Sequence, residues 1–454
     1  MALPQSPQVV VIENDASIYT PNVNSSVVGI VGFADKGPIN EATLVTSQND
    51  LLNKFGRPNS NIPGQGLEGA LEILEATNQI YYVRCASGSQ PASAVVPLGF
   101  APSVHFPVSA VSALATDTAS SIVYTVVDNN GVAQTASKVV TLTSSTGATT
   151  VSSVLLNYFN QNITGDSDVF AALDSSGSLF LASRYPGASA TLLVSAQAVF
   201  NHLYPVLNTG GLSSLGAAQV FARGGLASGT ISNASSLYLK VASKYDGLGY
   251  NLSSLRDGSV QGISVEVENI SLLDRISVNS EGVENENYDV QLSPSSLQSV
   301  EYILNTDIDN NQSDLINAEI QSNTAAYTQV PNNIADPLGS GKAFMWNGLV
   351  SNGVTPRFIK IIPGTYGLVS GNSGYSNTEV GNTNDITALI GNSASKTGMY
   401  ALDYDGLEIS MALVPGITHQ QVQNALITLG ETSKNFVSIV SPPYGLDTVQ
   451  DAVD

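Results

Sequence analysis

Three groups of residues could do chemistry, and the first is a glycine motif. Gly64, Gly66 and Gly69 are spaced as GxGxxG, with which dinucleotide-binding proteins cradle a pyrophosphate at the start of a helix. That site needs a strand directly before the motif, but residues 58–63 (PNSNIP) read as a loop. It also needs a carboxylate for the ribose about 20 residues further on, and residues 85–95 contain neither Asp nor Glu. The motif therefore predicts a structural loop that leads into a helix, with no nucleotide cofactor.

Two acidic clusters are the second group, because carboxylates bind cations or exchange protons. The first has the alternating spacing of a calcium loop: Asp307, Asp309, Asn311 and Ser313. Its sixth position is Gln312 instead of glycine and its twelfth is Ala318 instead of glutamate, so a polar turn is the better interpretation, with an incidental cation left open. The second comprises Asp403, Asp405 and Glu408. In so acidic a chain it indicates a surface loop, so no metal site is predicted.

Histidines are the third group. His105, His202 and His419 are isolated and lack metal-ligand spacing, and the chain has neither a GxSxG nor a P-loop motif. The sequence therefore predicts no catalytic residue and no cofactor.

The composition favours a β-rich protein of several domains. A length of 454 residues suggests about three domains. Charged residues make up 12% of the chain, about half the usual share, and Ser, Asn, Thr and Gly take their place. The net charge of −21 repels phosphate, so nucleic acid is not expected as a partner. We also expect no secretory signal and no membrane span, and Cys85 should be a small core residue.

The elements that must position these residues begin with an α/β pattern. A buried strand, Val27–Ala34, is followed by a second strand, by two helices and by a third strand. Ser47 and Gly56 are the start and stop signals of the first helix. The remaining bounds are 42–46 and 79–86 for the strands and 66–76 for the second helix.

From residue 98 to 235 the chain becomes rich in Ala, Ser and Thr, which indicates a mainly β insertion. Its expected strands are 121–127, 138–143, 178–184 and 191–195, with a hairpin turn at Asn129–Gly131 and one helix at Val151–Phe159. Strands at 262–270, 273–279 and 287–292 follow it, and then a helix at 295–305.

The last stretch predicts a βαβ unit with parallel strands. Leu407–Val414 reads as a strand closed by Pro415, Thr418 as the cap of a helix, and Phe436–Val440 as the next strand. The apolar face of that helix consists of Val422, Ala425, Leu426 and Leu429.

Several of these segments resemble contractile tail sheath proteins, the outer sleeve of contractile bacteriophage tails. Val31–Pro38 (VGFADKGP) resembles the family's opening strand, and Tyr82–Cys85 its "yvvRv" strand. Ser243–Asn251 resembles a family turn, although Asp246 and Leu248 depart from its pattern. Residues 407–443 resemble the family's final strand, helix and strand, with Ser441 where the family often has Asp. The resemblance covers about residues 8–96 and 237–454.

The resemblance implies a multidomain α+β and α/β fold. An N-terminal arm (1–21) would precede a discontinuous α/β core domain (22–96 and 395–454) that contains the βαβ unit. A mainly β protruding domain (97–236) would be inserted before a β-rich middle domain (237–394). Residues Val9, Val10, Val11 and Ile12 form the candidate arm strand that joins neighbouring subunits.

The resemblance also implies a function and partners. The protein would be a structural subunit that polymerises with other copies around the tail tube, and that contracts to drive the tube through the host envelope. Its further partners would be the baseplate and the tail terminator. It would assemble in the host cytoplasm and reside in the virion, without inserting into a membrane. Because Leu446–Asp454 reads as the start of a helix that precedes another domain in the family, we expect a C-terminally truncated fragment that is monomeric alone.

Two other classes stay open at this stage. An extracellular adhesin or surface-layer module would explain the insert rich in Ser, Thr and Asn, but a missing signal peptide and the βαβ ending disfavour it. An enzyme of the α/β type is the third possibility. Tail tube protein in a purified complex would separate the first class from both.

Overall fold

The computed structural model describes residues 27–106, 118–142, 168–173, 179–195, 213–214, 219–223, 225–226, 237–254, 258–270, 273–292, 298–306, 312–322, 349–350, 357–376 and 382–442. The chain divides into two compact units. Unit 1 consists of residues 1–87 and 374–454, and unit 2 of residues 88–373.

Strands dominate the described residues. The first ten are β1 (Val28–Gly32), β2 (Ala42–Val45), β3 (Ile80–Arg84), β4 (Pro91–Ala101), β5 (Ser103–Phe106), β6 (Thr118–Val127), β7 (Ala133–Leu142), β8 (Val169–Leu173), β9 (Leu179–Ser183) and β10 (Thr191–Ser195). The next eight are β11 (Ser213–Ser214), β12 (Gln219–Arg223), β13 (Gly225–Leu226), β14 (Leu237–Asp246), β15 (Ser253–Ser254), β16 (Val260–Gln261), β17 (Ile263–Ile270) and β18 (Leu273–Ser280). The last seven are β19 (Val283–Val290), β20 (Ile316–Ser322), β21 (Leu349–Val350), β22 (Arg357–Ile361), β23 (Gly364–Gly367), β24 (Met411–Leu413) and β25 (Val437–Ile439).

Helices are fewer and lie mostly in unit 1. They are α1 (Gln48–Phe55), α2 (Gly66–Ala76), α3 (Val300–Thr306), α4 (Thr383–Ile390) and α5 (Gln420–Ser433). Among these described helices, only α3 belongs to unit 2. The protein therefore has a mixed α/β fold with several sheets.

Unit 1 is built on a five-stranded sheet in the order β2-β3-β1-β24-β25. The pairs β3–β1, β1–β24 and β24–β25 are parallel, and β2 is antiparallel to β3. Every residue of β1 is buried, as a central parallel strand covered on both faces should be. Helix α5 connects β24 to β25, which confirms the predicted βαβ unit.

Local signals set α1 and α2 where the sequence placed them. The Ser47 hydroxyl accepts a hydrogen bond from the Asp50 N–H at 3.2 Å, which satisfies one free donor at the start of α1. Gly56 follows the last residue of α1 with φ 87°, which an L-residue rarely adopts. Helix α2 has the predicted bounds, and it buries Leu67 and Ala70.

Two predictions about the end of unit 1 are wrong. The predicted strand Leu407–Val414 is reduced to the three residues of β24. Glu408 has left-handed backbone angles (φ 49°, ψ 38°) and residues 405–407 form a 3₁₀ turn, and neither can continue a strand. Thr418 does not cap α5 either, because the N-cap is His419, whose side chain makes no capping hydrogen bond.

The single cysteine leads to a prediction about alkaline stability. Cys85 is buried, as expected, and burial raises the pKa of its thiol from 9.0 to about 12. Between those values the unfolded chain loses this proton while the folded chain keeps it, so stability must fall as the pH rises. We expect Cys85 to contribute a loss of about 1.4 kcal/mol per pH unit in that window.

Urea unfolding of the protein and of Cys85→Ala at about pH 8 and about pH 10 measures that contribution. Tyr82, whose pKa burial also raises, contributes the same trend to both proteins. The variant should therefore lose less stability over the interval, although the cavity makes it less stable at both pH values. Equal losses would contradict the assignment to Cys85.

Unit 2 contains several antiparallel sheets. Two of them share one core: the sheet β20-β14-β4-β22-β21 and the sheet β19-β18-β17-β23. The alternate residues Val265 and Val267 of β17 and Val241 of β14 are buried in this core, together with Leu304 of α3. Strand alternation thus places one face of each sheet inward. Three further sheets have the orders β11-β12-β10-β6-β7, β5-β9-β8 and β15-β16.

The strands predicted for unit 2 are present with shifted ends. In the predicted insertion these are β6, β7, β9 and β10, and the expected turn at Asn129–Gly131 joins β6 to β7. The three strands predicted after Gly249 are β17, β18 and β19, of which the last begins at Val283 instead of residue 287. The predicted helix Val151–Phe159 lies outside the described residues.

The division into units falls at 87/88 and 373/374, whereas the sequence placed the core boundaries at 96/97 and 394/395. Strand β4 begins at Pro91 and pairs with β14 and β22 of unit 2. Helix α4 packs in the core of unit 1 through Ile386 and Leu389. A separation of unit 2 into a protruding domain (97–236) and a middle domain (237–394) stays a prediction.

Candidate functional site

The GxGxxG segment lies at the carboxyl ends of β1 and β24. The chain leaves β1 towards β3 on one side and leaves β24 towards β25 on the other, so this is the switch point of the sheet. In open α/β sheets such a point is the usual ligand site. The Gln65 N–H, at the start of α2, donates to the Pro415 carbonyl at 3.0 Å, just after β24. The structure thus brings the motif to the place where a nucleotide would bind.

Gly66 of the motif packs tightly against Gly32 of β1 and Tyr82 of β3. A Cβ on Gly32 would lie 2.7 Å from the Tyr82 hydroxyl and 3.1 Å from the Gly66 Cα. The Tyr82 hydroxyl itself donates to the Phe33 carbonyl at 2.9 Å in the buried core. Gly32 and Gly66 therefore allow α2 to pack closely on β1.

The acidic clusters do not form a site in the described part of the chain. Asp403 pairs with Lys396 at 2.6 Å, and Glu408 occupies the left-handed turn described above. Ser313 donates to the Glu286 carboxylate at 2.5 Å, while the other calcium-loop candidates, Asp307, Asp309 and Asn311, lie outside the described residues. Among the residues that the structure describes, no three His, Cys, Asp or Glu side chains are grouped to hold a metal.

The histidines are likewise dispersed. His105 belongs to β5 of unit 2 and His419 to the start of α5 in unit 1, where its Nδ1 is buried without a hydrogen bond among the described residues. His202 lies outside the described residues.

A sheet edge in unit 1 is the more distinctive surface. Strand β25 is the last strand of its sheet, and no described strand pairs with its outer side. Val437 and Ile439 are 67% and 45% exposed, while the Ser438 hydroxyl between them faces α5 and donates to the Leu426 carbonyl at 2.8 Å. Val437 and Ile439 therefore present an apolar face on the side away from α5. We call β25 with these two side chains the open edge.

The backbone of the open edge is equally available. The Val437 N–H donates to the Ser410 carbonyl at 3.0 Å, towards β24. Because backbone groups of successive residues point to opposite sides of a strand, the N–H and C=O of Ser438 point outwards. Residues 435–441 (NFVSIVS) contain no charge, although natural proteins usually place charges on an edge to prevent pairing.

Other edges show that protection. The outer side of β20 is covered by α3: Asn305 bonds both backbone groups of Ala318 at 2.7 and 2.8 Å, and Glu301 accepts from the Ile320 N–H at 2.8 Å. Strand β19 carries charges along its length, namely Glu284, Glu286 and Asp289. The open edge of unit 1 therefore differs from the β20 and β19 edges of the shared core in unit 2.

A second distinctive feature is a buried charge cluster in unit 2. The Lys360 Nζ of β22 lies 3.2 Å from the Asp274 Oδ1 of β18, and both side chains are completely buried. Asn269 of β17 donates to the same Oδ1 at 2.7 Å, and the Ile361 N–H donates to Oδ2 at 3.1 Å. Sequence analysis missed this cluster. The signal was the hairpin of β17 and β18, whose register places Asn269 opposite Asp274.

The candidate arm strand, Val9, Val10, Val11 and Ile12, lies outside the described residues, and so does the predicted C-terminal helix at Leu446–Asp454. In the part of the chain that the structure describes, no helix is long and apolar enough to span a membrane.

Two sheath tail proteins are among the solved structures that resemble this chain. No protein-family model matches the chain, and no curated protein matches it. A sheath tail protein from Listeria innocua has 10% identity and a TM-score of 0.34, with 91% of this chain and 48% of that chain covered. A sheath tail protein from Desulfitobacterium hafniense has 8% identity and a TM-score of 0.32, with 96% and 51% covered. The chain thus spans about half the length of the sheath tail proteins it matches.

Proposed function

We propose that this chain is a structural subunit of a contractile tail sheath. It polymerises around a tail tube in the virion, and it contracts to drive that tube through the host envelope. The observation that supports this proposal is the open edge of unit 1, an uncharged strand with exposed apolar side chains. The segments that resemble sheath proteins, at 27–40 and 407–443, contain β1 and both strands of the βαβ unit to which this edge belongs.

Strand addition is the interaction that such an edge supports. An extended segment of a neighbouring copy would supply main-chain hydrogen bonds to Ser438 and cover Val437 and Ile439. The candidate arm strand Val9–Ile12 has the required character, with four β-branched residues in a row. Each arm would bind the edge of the next copy, so the contact is heterologous and builds an open helical polymer.

Contraction needs no cofactor under this proposal. A polymer held by extended arms can repack between two arrangements while its connections persist, and the energy resides in the subunit contacts. The net charge of −21 adds repulsion between copies, which opposes assembly before the tube is present. Tail tube protein, baseplate and tail terminator are the further partners that this role requires.

The test is assembly of the protein with its tail tube protein, observed by negative-stain electron microscopy. We expect sheathed tubes from the natural sequence and none from Val437→Lys with Ile439→Lys. Burial of two such side chains contributes about 3 kcal/mol or more, so their loss weakens each contact about 100-fold.

Val283→Lys is the matched control, because Val283 is 64% exposed at the start of the charged edge strand β19. That variant should assemble like the natural protein. Sheathed tubes from the double variant at the normal yield would contradict the role of the open edge. A natural protein that never sheathes the tube would contradict the proposed function itself.

A further inference from the structure

The buried cluster of unit 2 brings an amine and a carboxyl group into contact away from water. The Lys360 Nζ and the Asp274 Oδ1 are 3.2 Å apart, and the aromatic ring of Phe170 lies 5.7 Å from the same Nζ. Lys360 belongs to the sheet β20-β14-β4-β22-β21 and Asp274 to the sheet β19-β18-β17-β23. A bond between the two side chains would therefore join the two sheets of one core.

The attack requires the uncharged amine, and burial shifts Lys360 towards that form. Burial lowers the pKa of Lys360, and the nearby positive charge of Arg184 lowers it further, while Asp274 opposes both effects. The ammonium group can pass its proton directly to the Asp274 Oδ1, its ion-pair partner. This transfer frees the lone pair of the amine for attack. Because both side chains are buried, no hydration shell has to be removed first.

Hydrogen bonds orient the Asp274 carboxyl group for nucleophilic attack. Its Oδ2 accepts a hydrogen bond from the Ile361 N–H at 3.1 Å, and its Oδ1 accepts one from the Asn269 side-chain amide at 2.7 Å. Backbone and amide donors aimed at such oxygens stabilise the negative charge that develops when a carbonyl carbon is attacked. Asn269 also donates to the Ile361 carbonyl at 2.9 Å, which fixes its orientation, while its own Oδ1 has no partner among the described residues.

We propose that Lys360 and Asp274 condense into an intramolecular isopeptide bond. The Nζ lone pair forms a bond to the Asp274 Cγ, and the bond from Cγ to Oδ1 breaks. Two of the three ammonium protons leave with Oδ1 as one water molecule, and the third remains on the amide nitrogen. Oδ2 becomes the amide carbonyl and keeps its hydrogen bond from Ile361. The step needs no oxidant, reductant or cofactor.

Proximity makes this condensation feasible, although it is slow between free groups in water. Well-oriented groups within one molecule react as if at concentrations of about 10⁵–10⁸ M. Asn269 contacts the departing oxygen, so it is a catalytic residue of this reaction. The bond goes beyond the sheath proposal and does not rest on it.

The intact mass of the purified, denatured protein tests the bond. We expect a mass below that of the sequence by one water molecule, and a proteolytic digest should contain a branched peptide that joins Lys360 to Asp274. Lys360→Met should have the full mass. Asn269→Leu should form the bond more slowly, which a time course after refolding would measure.

Two comparisons keep the result specific. A cyclised aspartate also loses one water, so a loss that persists in Lys360→Met would overturn the assignment. Lys244 pairs with Asp314 at 3.8 Å in an exposed position, and Lys244→Met should keep the mass loss in full. If Lys360→Met does not fold, the double variant with Asp274→Leu, checked by circular dichroism, provides the unlinked reference. The proposal would be refuted if, after prolonged incubation, the natural protein still had the mass of its sequence with no loss of water.

Discussion

Replacing Gly32 with alanine should lower the free energy of unfolding of unit 1 by about 2–3 kcal/mol, because it overpacks a closed core. The new Cβ would lie 2.7 Å from the Tyr82 hydroxyl and 3.1 Å from the Gly66 Cα. Gly66 is a backbone neighbour at the start of α2, and it can move only with that helix. Gly32 is not among the residues with positive φ, so the cost arises from space and not from backbone strain.

A double-mutant cycle with Tyr82→Phe identifies the clashing atom. That substitution alone should cost about 1–3 kcal/mol, since it leaves the buried Phe33 carbonyl without its hydroxyl donor. In combination with Gly32→Ala it removes the nearest atom, so the double variant should be more stable than the sum of the singles by about 1 kcal/mol. Rescue stays partial because Gly66 remains.

Gly56 supplies the control for this cycle. It has φ 87°, and a Cβ there would meet nothing closer than 3.8 Å. Gly56→Ala therefore costs about 1–3 kcal/mol of backbone strain, and it should add to Tyr82→Phe without coupling. Urea unfolding of the six proteins gives all the values. A fully additive Gly32–Tyr82 pair would contradict the packing explanation of the glycine motif.

Short-range signals were enough to predict α1, α2 and α5 of unit 1, but α4 was not predicted. Ser47 and Gly56 act within one turn of α1, and the spacing of Leu67 and Ala70 depends only on helix periodicity. The parallel pairing of β24 and β25 also followed from the strand, helix and strand pattern. These features depend on residues close together in sequence, so the sequence alone determines them well.

The sequence-based prediction failed where backbone angles or long-range contacts determine the local structure. Leu407–Val414 has the apolar character of a strand, but Glu408 adopts left-handed angles that no hydrophobic pattern reports. Asn305 and Glu301 can cover β20 only because α3 lies beside that edge, and this position depends on tertiary packing. The open edge was likewise invisible, since exposure of Val437 depends on what the other elements leave uncovered.

The glycine motif illustrates what local sequence can predict, and the buried cluster illustrates what depends on tertiary packing. The missing strand before Gly64 predicted a structural loop, and the close contact of Gly66 with Gly32 supplies a packing reason for a glycine at position 66. Lys360, by contrast, lies in another sheet from Asp274, and nothing in the run RFIKI distinguishes it from an exposed strand lysine. Only the packing of two sheets reveals that its charge is buried.

That buried charge leads to the other large expected effect. Relative to natural protein that has not yet formed the bond to Asp274, Lys360→Met should lower the free energy of unfolding of unit 2 by about 3–5 kcal/mol, measured by urea unfolding. The methionine fills a similar volume, so packing is preserved. The Asp274 carboxylate, completely buried beside Asn269, would lose its positive partner. An uncompensated charge in the interior is what makes this substitution costly.

Adding Asp274→Leu to Lys360→Met should recover most of that loss, because the double variant buries neither charge and replaces the pair with apolar groups. Neither variant can form the Lys360–Asp274 bond, so the comparison between them is independent of the proposed cross-link. Arg275, the next residue of β18, provides the matched control. Its pair with Asp289 is exposed and has contacts of 2.8 and 3.1 Å. Water and salt screen such a pair, and Arg275→Met should leave the free energy of unfolding within the error of the measurement. A double variant as unstable as Lys360→Met would mean that lost packing, and not the unpaired carboxylate, causes the destabilisation.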